Sequence, residues 1–255
     1  MASIYDYPEY YEIAFSWRDI PGEVDLFEES FRRFSQIPVK SVLELGSGNS
    51  PHMEELLRRG YEYTGLDISD SMLDYAREKL RRRGLVANLV RRNMVDFSLD
   101  FKVDFVYIML GSLFATNTGE ISTHFDSVAA ALRKGGLYFL DWCVQFVPPW
   151  EWRGESTWVM ERDGIKVRAT YAGKPANLVK QTFEERITLE VDDRGDKITI
   201  TEKNIGRAIY PQEFLCLISA HKEFEFVGWW NNWNLEKPLE QAMKIERPIV
   251  LIRRI

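Results

Sequence analysis

The sequence predicts an α/β fold: a mostly parallel sheet with helices on both faces, and an antiparallel sheet inserted late in it. Three observations predict this. Between 38 and 142, short apolar runs alternate with helix-period stretches, the order that gives a parallel sheet covered on both sides. The first apolar run ends in a glycine turn, "GSG", of the kind that joins strand to helix beside a ligand. From 157 to 210 the apolar period switches to two, as in hairpins.

The elements follow in order. "KSVLEL" (40–45) is a short buried strand. Pro51 suits a first helical turn, where its missing N–H is no loss. Met53, Leu56 and Leu57 share one helix face, and Gly60 ends that helix. "YEYTGLDI" is a second strand. Ser69 or Asp70 caps the next helix, which turns Met72, Leu73, Ala76 and Leu80 inward and stops at Gly84. "LVANLVRRNMVDF" holds a third strand and "VDFVYIML" (103–110) a fourth. "HFDSVAAALRKGG" (124–136) is a helix with a glycine stop, and "LYFLDW" (137–142) is a fifth strand. Beyond it, "TWVMERDGIKVRATYAG" forms two strands around Asp163-Gly164, and two longer strands flank "DDRGDK". "PQEFLCLISAH" is a helix, and "EFEFVGWW" and "RPIVLIRRI" are strands.

Composition narrows the function classes. A chain of 255 residues, 45% hydrophobic and 28% charged, is long enough for one large α/β domain with an addition. A net charge of -6 disfavours indiscriminate binding to nucleic acid. The two cysteines, Cys143 and Cys216, lie outside any metal-type spacing; no metal site is expected, and a reducing cytoplasm fits. "MASIYDYPEYYEIAF" lacks the features of a signal peptide, and no stretch approaches a membrane span. A homodimer stays compatible with the chain.

The glycine turn bears on the cofactor. Gly46 and Gly48 fit the first two positions of G-x-G-x-x-G, but Pro51 stands at the third, which weakens a dinucleotide reading. Glu44 precedes the glycines; its carboxylate would repel a pyrophosphate but suits a ligand carrying ammonium and sulfonium charge. Glu44, Gly46 and Gly48, then Asp67 in "GLDIS", "RNMVDF", and "LRKGGLYFLDW" stand in the order and spacing of a known family. The chain resembles the class I S-adenosylmethionine-dependent methyltransferases over roughly 38–142.

The resemblance implies a Rossmann-like, seven-stranded, mostly parallel sheet in which the last two strands are six and seven, seven running antiparallel. It implies S-adenosyl-L-methionine as cofactor. The turn Gly46-Ser47-Gly48 would meet the methionine part, Asp67 both ribose hydroxyls, and Ile68 and Met72 the adenine faces. Asn93 would accept from the adenine amino group, with the Met94 backbone sharing that task, and Leu110 would lie beside the cofactor after strand four. The opening segment resembles that of small-molecule methyltransferases, so Tyr11 and Trp17 would close over the methionine end and Arg18 would pair with its carboxylate. The default for this aromatic segment is a helix face packed on the sheet.

The implied organisation is an N-terminal helical cap (1–37), a cofactor domain (38–150 and 211–255) and an inserted sheet (151–210). The insert resembles that of the glycine- and sarcosine-type branch, where it roofs the active site; a stability or dimerisation element is the alternative. Trp142, Arg207 and Tyr210 are the candidate acceptor residues, and an arginine there would suit an anionic acceptor. No residue stands out as a general base, and His52, His124 and His221 have no visible triad or metal partner. "RRR" (81–83) reads as a solvated face, and "GWWNNWN" as tryptophans packed between the sheet and a neighbouring loop or subunit. The expected activity is in-line methyl transfer to a small molecule. RNA or protein methylation, a nicotinamide oxidoreductase and a non-enzymatic binding protein are the competing readings.

Overall fold

A computed structural model describes residues 2–147 and 155–255. The predicted domain boundary at 150/151 lies outside the described residues. The central sheet has seven strands: β1 (Ser41–Leu45), β2 (Glu62–Asp67), β3 (Asn88–Arg91), β4 (Val103–Ile108), β5 (Leu132–Asp141), β10 (Phe224–Trp230) and β11 (Ile249–Arg254). Their order is β10-β11-β5-β4-β1-β2-β3. All neighbours are parallel except that β11 runs antiparallel to both β5 and β10. Order and direction match the predicted fold class.

Alternation along the strands sorts the core into two layers. Val42, Phe105, Tyr107, Leu137 and Phe139 face α2 (Ile20–Phe34), α3 (Met53–Arg58) and α4 (Asp70–Arg83). Leu43, Val106, Ile108, Tyr138 and Leu140 face α5 (Thr118–Ala131) and α6 (Pro211–His221). Phe27 of α2 lies 4.9–5.3 Å from the rings of Phe105, Tyr107 and Phe139, an aromatic knot whose truncation to alanine costs about 3–5 kcal/mol. Ser69 caps α4 through the Met72 N–H, and Gly84 ends it in the left-handed conformation, as the sequence predicts.

Helix α5 departs from the prediction. It starts at Thr118, because the Asn117 side chain accepts from the Glu120 N–H, and it ends at Ala131. Leu132 already pairs with Val103, so Gly135 and Gly136 fall within the strand.

The insert is a separate four-stranded meander of β6 (Glu155–Arg162), β7 (Ile165–Asn177), β8 (Thr182–Asp193) and β9 (Asp196–Arg207), in that spatial order. The opening segment forms α1 (Pro8–Ala14). Ile4, Ile13 and Ala14 pack on Ile165, Val167, Ala169, Leu189, Val191 and Ile200 of the insert. This corrects the expectation of a helix packed on the parallel sheet: the apolar face of α1 matches that of the insert, while α2 takes the place on the parallel sheet. Glu12 fastens the arrangement by accepting from Lys79 and Tyr75 of α4, each at 2.8 Å, and from Arg162 of β6 at 2.9 Å. Burial raises the Glu12 pKa, but these three donors outweigh it and hold the carboxyl down at about 2.

Candidate active site

The carboxyl ends of β1, β2, β4 and β5 meet at one edge, beside the insert. The backbone there is unusual. Gly46 and Gly48 take φ of +62° and +51°, which glycine does at no steric cost. Leu110 after β4 and Trp142 after β5 take φ of +54° and +59°, at about 1 kcal/mol or more each. Asp141 holds both loops: Oδ2 accepts from Leu110 N and its main-chain oxygen from Gly111 N, each at 2.9 Å. Asp141 is itself fully buried, with Arg247 at 2.9 Å and Trp233 Nε1 at 2.9 Å. It therefore shapes the edge without reaching into it.

Asp67 ends β2 beside the glycine turn. Oδ2 accepts from Gly48 N at 2.7 Å and Oδ1 from Ser69 N at 2.8 Å. Burial raises its pKa, against the opposing N–H bonds from Ser69 and Gly48. Each oxygen keeps a lone pair for a further donor. Ile68, next in sequence, is 62% exposed, an apolar surface beside a carboxylate, whereas Met72 is buried. A Cβ on Gly46 would come within 2.7 Å of Met94 Cε, so that glycine makes room for Met94. A Cβ on Gly48 would meet nothing within 4 Å, so open space lies there. Ser47 Oγ is buried without a hydrogen-bond partner among the described residues.

Glu44 lies beneath the turn. It is 2% exposed and accepts from the hydroxyls of Tyr63 and Tyr107. His52, also fully buried, bridges Glu44 to Glu23, and Arg18 pairs with Glu23 at 2.5 Å. Burial would raise the Glu23 pKa, but bonds from His52 and Arg18 and their charge hold it far below the usual range. Glu44 and Arg18 are thus parts of one buried ionic cluster under the turn; direct contact with a cofactor was the expectation for both. The Tyr11 ring packs tilted against Phe15, with centroids 4.6 Å apart. Burial pushes its phenol up to about 12; Arg18 opposes this, and the charges of Asp67, Glu185 and Glu44 add to it. Tyr11 therefore lies within electrostatic reach of the cofactor edge and of the insert. Trp17 is 46% exposed between α1 and α2, and Trp142 is 42% exposed after β5.

Asn93 and Met94 follow β3 on the same edge, where Arg92 N donates to Asp67 O; they and the remaining sequence candidates are held by the protein's own groups. Asn93 is exposed and its Oδ1 accepts from Val95 N at 3.0 Å, a local turn. The Met94 carbonyl accepts from His124 Nδ1 at 2.7 Å, which leaves Nε2 to accept from Tyr138. Burial lowers the His124 pKa to about 4, so the ring is neutral and structural. Arg207 is corrected: its guanidinium is 8% exposed, paired with Glu213 of α6, and bonded to Thr118 at 3.4 Å. It joins the insert to α6. Tyr210 is the N-cap residue of α6, its N–H donating to Glu213. Two tryptophans of "GWWNNWN" pack inward, Trp230 on Phe34 and Trp233 beside Phe27 and under Arg247, while Trp229 donates to Glu240 at the surface.

The residue that sequence reasoning missed is Glu185 of β8. Phe183, Glu185, Ile187, Leu189 and Val191 form one alternating row, and the last three pack in the insert's apolar core. A carboxylate in that inward row was the available signal. Burial pushes Glu185 up to about 7, against bonds from Asn204 and Tyr171.

This sheet order, with a glycine turn opening on an acid at the end of β2, defines the class I methyltransferase fold. Residues 42–136 match the family described as Methyltransferase domain. Over 149 residues the chain is 30% identical to dTDP-3-amino-3,4,6-trideoxy-alpha-D-glucopyranose N,N-dimethyltransferase of Streptomyces venezuelae, covering 55% of this chain and 58% of that protein. A putative methyltransferase of Geobacillus sp. is 24% identical over 115 residues, 45% of this chain and 47% of its own length. The chain thus spans about half the length of the curated relatives it matches. The fold extends further. A S-adenosylmethionine-dependent methyltransferase from Clostridium acetobutylicum superposes with a TM-score of 0.76 at 17% identity, over 96% of both chains. An amino pentose methyltransferase from Micromonospora echinaspora, solved with S-adenosylmethionine bound, gives 0.71 at 17% identity, also over 96% of both.

Proposed function

We propose that this chain is an S-adenosylmethionine-dependent methyltransferase acting on the amino group of a small, sugar-class acceptor. The observation that carries the cofactor is the meeting of the Gly48 N–H and the Asp67 carboxylate at the carboxyl edge of the sheet. The residues fit the group. Asp67 has acceptor capacity for two ribose hydroxyls, exposed Ile68 offers an apolar face to adenine, and Ser47 Oγ and the open side of Gly48 suit the methionine part. The cofactor supplies an electrophilic methyl group. The chain's own residues must bind and orient the acceptor and exclude water.

The insert supports a small acceptor. Its return, Arg207, donates through its N–H to Ala115 O in the loop after β4, and Gln145 N reaches Ile209 O at 2.8 Å. Exit and re-entry are thus joined at the carboxyl edge, so the insert and α1 act as a lid that shapes a closed pocket. The expected anionic acceptor loses its argument with Arg207 spent on Glu213. The curated relative's name specifies an amino sugar, and the roof over this edge carries a carboxylate; both favour an amine.

Calorimetry with S-adenosylhomocysteine and NADH tests the cofactor. Micromolar-range binding of the first and none of the second is expected; NADH binding without a response to S-adenosylhomocysteine would sink the reading. Mass spectrometry of dTDP-linked 3-amino sugars incubated with enzyme and cofactor tests the acceptor, with methylated amine as the expected product.

A further inference from the structure

The insert's inner face changes character along its strands. At the far end it is apolar and covered by α1. Nearer the parallel sheet, the same inward rows carry Tyr171, Glu185 and Asn204. Asn204 stands directly across from Glu185 in the ladder, and the Tyr171 hydroxyl lies 3.4 Å from a Glu185 carboxylate oxygen. These rows would hold apolar residues if the sheet served only as a cover.

Tyr171 of β7 and Asn204 of β9 contact Glu185, and Tyr5 and Tyr11 of the N-terminal segment lie within reach of its charge. The phenol of Tyr5 is raised by burial and then by Tyr11, Glu185, Glu202 and Asp67; that of Tyr11 feels both Glu185 and Asp67. Glu185 also stands three residues from Thr182, which pairs with Arg207, and the Arg207 N–H reaches Ala115 O in the loop after β4, so this roof carboxylate lies on the side of the insert nearest the carboxyl edge. No ion pair to Glu185 occurs among the described residues, although Glu12, another part-buried carboxylate beside the insert, has cations from two elements. A carboxylate withdrawn from water without a cation is costly, and a cationic acceptor would relieve that cost.

We propose that Glu185 receives the acceptor's ammonium group and takes a proton from it. The proposal rests on the methyltransferase reading of this edge and deepens it. One N–H bond of the ammonium breaks and its electron pair stays on nitrogen. The proton forms an O–H bond on Glu185, so a carboxylate and an ammonium become a carboxylic acid and a neutral amine. Transfer of the methyl group then restores a positive charge on nitrogen and leaves the cofactor's sulfur neutral, and Glu185 returns its proton to solvent. With its pKa near 7, Glu185 lies two to three powers of ten closer to an alkylammonium of about 8–10 than an ordinary glutamate does.

The test uses full-length protein, 13C-labelled at glutamate carboxyl carbons and saturated with S-adenosylhomocysteine. One signal should titrate near neutral pH and be absent from Glu185→Gln. The probe dTDP-3-amino-3,6-dideoxyglucose should lower that midpoint, and its 3-hydroxy counterpart should leave it in place. In the methyl-transfer assay Glu185→Gln should lower kcat by about 10²–10⁴-fold and lose the acidic limb of the pH profile, with S-adenosylhomocysteine affinity unchanged. If S-adenosylhomocysteine binds, the amine leaves the Glu185 signal unmoved and the variant keeps the wild-type profile, the proposal for Glu185 is overturned while the methyltransferase reading stands. Failure of S-adenosylhomocysteine to bind would overturn the reading itself.

Discussion

Asp67 is the residue on which cofactor affinity should turn. Asp67→Ala removes two charge-assisted acceptors from the proposed ribose site, worth about 1.5–3 kcal/mol each at most. Isothermal calorimetry should find S-adenosylhomocysteine binding at least tenfold weaker, with circular dichroism unchanged. Two other carboxylates should answer pH in opposite senses. Glu12 is depressed to about 2 in the fold, so its stabilisation is present above its ordinary pKa, about 4.3, and is lost as pH falls toward 2. Glu185 is raised to about 7, so stability is lost as pH rises from about 4.3 through 7. Glu185→Gln should therefore melt above wild type at pH 8, by about 1–3 kcal/mol in stability, and the gain should vanish below about pH 4. Glu12→Gln should melt below wild type at pH 8 and converge with it in acid. Melting curves across pH read both; parallel curves would refute the assignment.

At the scale of the element, Arg207 and Glu213 join β9 to α6. If they form a structural clamp, Arg207→Ala and Glu213→Ala should lose similar stability, and the double variant little more than either. Neither should raise the acceptor KM. An increase confined to Arg207→Ala would restore this arginine to the acceptor site. The elements themselves were legible because their signals are local: an apolar run, a cap such as Ser69, a glycine stop such as Gly84, and strict alternation in β8 and β9. The start of α5 was missed because Asn117 caps it from within a polar stretch that carries no apolar rhythm. Arg207 was misread because its partner lies in the next helix, six residues on, and only the turn at Tyr210 brings the two together. Glu185 was legible in principle, as a charge at an inward position of an otherwise apolar row. Its facing tyrosines were not, since Tyr5 and Tyr11 lie more than 170 residues away along the chain.

For the whole molecule, the insert and α1, from distant segments of the chain, form one packed unit. Trp158 Nε1 donates to Ala14 O at 2.7 Å, and Tyr10 bonds Asp193 at 3.0 Å. Removing residues 2–16 should uncover the insert's apolar rows and increase dye binding to exposed hydrophobic surface. Methyl transfer should be abolished. S-adenosylhomocysteine binding should survive, because Asp67 and the glycine turn stay with the parallel sheet; its complete loss would mean that α1 holds the cofactor as well as the roof.

The pairing of α1 with the insert also sets an order of events during synthesis. Asp193 leaves the ribosome 183 positions behind Tyr10. At about 5–20 residues per second, the first helix waits about 10–40 s before its partner exists. Its aromatic side stays uncovered throughout that interval, an invitation to chaperones or to neighbouring nascent chains. Helix α1 is thus among the last elements to find its place although it is made long before the insert, and the cover it forms with β6–β9 is complete only when it does.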